Sequence, residues 1–82
     1  MINIETQSRL AGRTIIEKAV RFFGPDGLDL EITDRSELSA RFEGANGFVG
    51  ILLESHGRRK RTQVRAVGRE YEAKIREFIS TL

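Results

Sequence analysis

Between Leu28 and Val67, apolar residues recur at every second position in four successive runs. Leu28, Leu30 and Ile32 alternate with Asp29, Glu31 and Thr33, and Leu38, Ala40 and Phe42 with Ser39, Arg41 and Glu43. Val49, Ile51 and Leu53 alternate with Phe48, Gly50 and Leu52, and Val64 and Ala66 with Gln63 and Arg65. A period of two sends the two sets to opposite faces of a strand. Four such runs in succession leave little choice beyond a meander with one apolar face, and that face must be covered. Ile2 and Ile4, alternating with Asn3 and Glu5, add a shorter strand ahead of the meander.

Two helical stripes supply the cover. Gly12, Ile15, Ile16, Ala19, Val20 and Phe23 share one face at helical spacing, while Arg9, Arg13, Glu17 and Lys18 fall elsewhere. Thr6 or Ser8 is the expected cap of this helix, and Gly24-Pro25 its expected stop, the glycine in a left-handed conformation. Tyr71, Ile75, Phe78, Ile79 and Leu82 form the second stripe, with Gly68 as its expected start and Glu70 and Glu72 suited to the positive end of the dipole.

The order β-α-β-β-β-β-α predicts an α+β fold: a two-layer sandwich in which an antiparallel meander carries both helices on one face. As an order of elements along the whole chain, it resembles the TATA-binding-protein-like, or helix-grip, topology. It differs from the double-stranded-RNA-binding domain, whose order is α-β-β-β-α and whose last helix has a basic N-terminus. Here that segment reads Arg69-Glu70-Tyr71-Glu72 and an extra strand intervenes.

Eighty-two residues, 39% hydrophobic and 32% charged, suit one small folded domain over 1–82. Without cysteine, neither disulfides nor thiolate chemistry is available. No apolar run approaches the roughly 20 residues of a membrane span. The opening MINIETQSRL lacks a basic region followed by an apolar core, so no signal peptide and a cytoplasmic location are expected.

Register expectations follow from which residues must share the core. Ile32 opposite Leu38 aligns the first two meander strands and sets Asp29 across from Arg41. Asn46-Gly47 marks a hairpin. For the last pair, Ile51 opposite Val64 leaves Gly57-Arg58 as a two-residue turn, with Phe48 facing Val67 and Leu52 facing Gln63. Residues Glu54 to Arg61 are then expected to project as a ribbon with a cationic tip.

The charge is uneven. Of the 14 bases in the chain, eight lie beyond Glu54, and no acid occurs from Ser55 to Arg69. Arg58, Arg59, Lys60, Arg61 and Arg65 on the basic ribbon 54–65 are therefore candidate contacts for nucleic acid or another polyanion. The plainer reading is a solvated hairpin tip whose charges prevent sticking. No aromatic residue interrupts the run, which removes the stacking used by single-strand binders.

Other chemistry is sparse. His56 is the sole histidine, so no multi-histidine metal site is expected, and as a base it lacks an evident nucleophile. Gly44, Gly47 and Gly50 lack the Lys-Ser/Thr of a phosphate loop. Neither an enzyme nor a cofactor is expected. The strongest remaining feature is the outer sheet face, where Phe48, Leu52 and Val67 sit bordered by Arg41, Arg65 and Glu43, with Gly50 between the two large apolar residues. Scattered exposed apolar residues are common, but a contiguous group marks a partner surface. The expected function is a small interaction domain that binds a protein partner or forms a homodimer through this face, with polyanion binding as the alternative.

Overall fold

The computed structural model describes residues 1–55 and 61–82. Its elements are β1 (Ile2–Ser8), α1 (Gly12–Phe23), β2 (Glu31–Arg35), β3 (Ser39–Glu43), β4 (Phe48–Ser55), β5 (Thr62–Arg69) and α2 (Glu72–Ser80). The five strands form one antiparallel sheet in the order β1-β5-β4-β3-β2. The α+β class and the element order are those expected from the alternating runs. Among the described residues, no helix is long and apolar enough to cross a membrane.

Both helices cover the same sheet face. Ile15, Ile16, Ala19 and Phe23 of α1 and Ile75 and Phe78 of α2 are buried, together with Ala40, Phe42, Val49, Ile51, Leu53, Val64 and Ala66 of the sheet. Four phenylalanine rings lock the two layers. Phe23 lies 4.9, 5.5 and 5.2 Å from Phe22, Phe42 and Phe78, and Phe22 lies 5.6 Å from Phe78. Ile79, placed in the core by its spacing, is only half-buried at the margin. At the open ends of the helices, Lys18 Nζ donates to the Thr81 carbonyl at 3.1 Å, where a cation meets the negative end of α2.

Several local expectations are corrected. Neither Thr6 nor Ser8 caps α1, which starts after Ala11 without a side-chain cap. Ser8 is instead buried at the end of β1. Its Oγ accepts from Leu10 N at 3.1 Å, and Thr62 Oγ1 donates to the Leu10 carbonyl at 2.9 Å. The connection is thus fixed by backbone satisfaction rather than by a cap. Gly24 is extended (φ −76°), not left-handed.

Leu28 and Leu30 do not belong to a strand. After α1 the chain doubles back, and the amides of Leu28, Asp29 and Leu30 donate to the carbonyls of Phe22, Gly24 and Phe23. These bonds occupy groups that would otherwise join the sheet. Asp29 takes a left-handed conformation (φ 60°) to make the reversal, a region that asparagine and aspartate tolerate better than most residues. Strand β2 therefore begins at Glu31 and pairs in a different register. Ile32 faces Phe42, Thr33 is the extra residue of a bulge, and Asp34 rather than Asp29 faces Arg41. Leu38 lies in the tight turn closed by the Ser36 amide on the Ser39 carbonyl (2.8 Å), and it is 47% exposed.

In the β4–β5 pair the faces are as expected, but the register differs by two residues. Ile51 faces Ala66, Leu53 faces Val64 and Ser55 faces Thr62. Burial constrains only which face a residue points to, so a slip of two preserves every inward side chain. The Gly57-Arg58 turn lies outside the described residues, as does most of the ribbon around it. Gly68 is part of β5 rather than the start of α2, whose N-cap is Tyr71. A Cβ at Gly68 would run into Ile75 Cδ1 and sit 2.7 Å from the Phe48 carbonyl oxygen. The glycine is there so that α2 can lie close on the sheet.

Candidate functional site: the open sheet face

One face of the sheet carries both helices, and among the described residues no helix covers the other. Cross-strand register arranges this open face in rows. Glu5, Arg65, Leu52 and Ser39 lie side by side across β1, β5, β4 and β3. The next row is Asn3, Val67, Gly50, Arg41 and Asp34, and the one after it brings Arg69, Phe48, Glu43 and Glu31 together. The five residues singled out from sequence, Phe48, Leu52, Arg41, Arg65 and Val67, are thus brought onto one surface over the three middle strands.

Their partners differ from expectation because of the register slip. Phe48 faces Arg69 and not Val67, while Leu52 faces Arg65 and not Gln63. Val67 instead faces Gly50, where a Cβ would lie 3.0 Å from Val67 Cγ2. Gly50 therefore makes room for Val67 within the sheet, and the approach path for a partner that its bare backbone suggests is closed by the valine.

Leu52 is the exposed apolar centre, at 47%, while Phe48 and Val67 are half-buried. Phe48 is partly shielded by Arg41, whose guanidinium carbon lies 4.5 Å from the ring centroid, a contact worth about 0.5–1 kcal/mol at an exposed site. Arg41 also approaches Glu43 at 3.9 Å. Arg65 Nε donates to Glu5 Oε1 at 2.9 Å, so its guanidinium is held by Glu5 in the row it shares with Leu52. Glu5, Leu52, Glu54, Gln63 and Arg65 surround a shallow depression there.

Glu5 is the member of this surface that the residue pattern did not reveal. Nothing local in the sequence says that the first strand lies against the last, and only that neighbour relation brings Glu5 to Arg65.

The polyanion candidates are not assembled into one described site. Arg58, Arg59 and Lys60 lie outside the described residues, as does His56. Arg61 is exposed and donates to Gln7 Oε1 at 3.4 Å. Arg65 is committed to Glu5. Comparisons with protein-family models, with curated proteins and with solved structures found no match.

Proposed function

We propose that the chain is a non-enzymatic interaction domain of the cytoplasm that binds a protein partner, a second copy of itself being the simplest case, through the open sheet face centred on Leu52. The observation that carries this reading is the exposure of Leu52 at the middle of the uncovered face. Half-buried Val67 lies one row away and half-buried Phe48 two rows away on the same face, and the three are bordered by Arg41, Glu43, Glu5 and Arg65. Apolar and aromatic groups at the centre with arginines around them are the composition of a binding patch. The mixed charges of the rim favour a protein surface over a uniformly anionic polymer. A cysteine-free chain suits a reducing compartment.

The test is Leu52→Glu, with molar mass measured across a concentration series at low and high salt. The substitution keeps the fold, since the new carboxylate is exposed and faces Arg65 across the strands. It places a charge in an apolar contact, so association through this face is lost. An association unchanged by Leu52→Glu counts against the reading. The second reading rests on the excess of bases beyond Glu54. Duplex nucleic-acid binding that weakens steeply with salt and disappears on reversing Arg59 and Lys60 to glutamate would establish it instead.

A further inference from the structure

The two edges of the sheet are built differently. The β2 edge is five residues long, interrupted at Thr33 by a bulge, and lined by exposed Glu31, Asp34 and Arg35. Shortness, a bulge and charge are the devices that keep an edge from pairing with another strand. The β1 edge is longer and unbroken, and its one charge, Glu5, is paired with Arg65 of the neighbouring strand. Its seven residues, INIETQS, contain no proline, glycine or lysine, and they pair with β5 in unbroken register from Ile2 to Ser8. Among the described residues, no other strand joins β1, and no backbone hydrogen bond from another element reaches it.

The strand is also complementary to itself. Read antiparallel about Ile4, it sets Ile4 opposite Ile4 of a second copy and Ile2 opposite Thr6. These residues are all β-branched and all on the helix-covered side. On the open side the same register sets Asn3 opposite Glu5, an amide donor against a carboxylate. Centring on Glu5 would instead oppose two carboxylates. Ile4 is only half-buried, although its neighbour Ala66 is fully covered, so apolar surface remains for a second Ile4 to cover.

We propose that β1 pairs antiparallel with β1 of a second copy about a two-fold axis at Ile4, joining the two sheets into one. This surface is separate from the Leu52 face and does not rest on it. The pairing is isologous, as a closed dimer requires, and its affinity comes from main-chain hydrogen bonds, with β-branched cross-strand pairs fixing the register.

The chain has no cysteine, so a single introduced one reports contacts without ambiguity. Ile4→Cys should form a disulfide-linked dimer on mild oxidation, because the two residues face each other. Asn3→Cys and Glu5→Cys should not, since each lies two residues from its own copy, roughly 8 Å away at about 3.3 Å per residue and about 5 Å between strands, beyond disulfide reach. Sedimentation of the cysteine-free Leu52→Glu variant, whose sheet-face contact is removed, should still show a dimer, and any larger assembly of the wild type should fall to that dimer. A monomer at millimolar concentration overturns the proposal. So does preferential cross-linking at position 3 or 5, or loss of the dimer in Leu52→Glu, which would move the contact to the sheet face.

Discussion

Phe78→Ala should remove about 3–5 kcal/mol of unfolding free energy, measured by urea titration followed in the far ultraviolet. Phe78 is 1% exposed, and its ring meets Phe22 and Phe23 from the facing helix. Alanine would leave a cavity at the point where α1, α2 and the sheet converge. Backbone held by two helices and a sheet cannot collapse far to fill it, so the cost should include the cavity as well as the lost burial. In a domain whose total stability is on the order of 5–15 kcal/mol, such a loss is a large share, and the melting temperature should fall by more than about 10 °C. A loss near zero would mean that α2 is not docked on the sheet.

Gly68→Ala is the second large effect, and it acts in the opposite sense, by overfilling. The added methyl would meet Ile75 Cδ1 from the helix side and the Phe48 carbonyl from the neighbouring strand. The carbonyl cannot yield without disturbing the β4–β5 ladder, so α2 must lift. Overpacking of this kind costs about 1–3 kcal/mol. Ile75→Val removes the methyl that the new Cβ would strike. The double variant Gly68→Ala/Ile75→Val should therefore lose less than the two single losses added together, measured as a double-mutant cycle. Strict additivity would show that the helix does not press on Gly68.

The period of two and the helical stripes carried most of the architecture, because both report burial directly. Ile15, Ala19, Phe23, Leu30, Phe42, Ile51, Val64, Ile75 and Phe78 are buried in one core, while Ile79 lies at its margin. What pattern could not carry was register. Sliding β5 by two residues past β4 leaves Val49, Ile51 and Leu53 inside, so nothing in hydrophobicity distinguishes Ile51 opposite Val64 from Ile51 opposite Ala66. The Leu28–Leu30 segment failed for another reason. It alternates as a strand does, yet its amides are taken by the carbonyls at the end of α1, and hydrogen-bond demand at a helix terminus leaves no trace in apolar spacing. Of the sheet-face residues, parity alone brought Phe48 and Leu52 outward. The Glu5–Arg65 contact needed the long-range adjacency of β1 and β5.

That adjacency has a bearing on how the chain reaches its native state. Strands β2 to β5 succeed one another in sequence as neighbours in space, so each pair can form as soon as its own connection has turned. The β1–β5 ladder matches Ile2 with Gly68 and Ser8 with Thr62, and it can close only after everything between them has been drawn together. The entropy of closing so long a loop is spent before any bond in that ladder repays it. Strand β1 thus carries the largest loop-closure cost of any strand pair in the sheet. For as long as it is away, β5 is itself a bare edge.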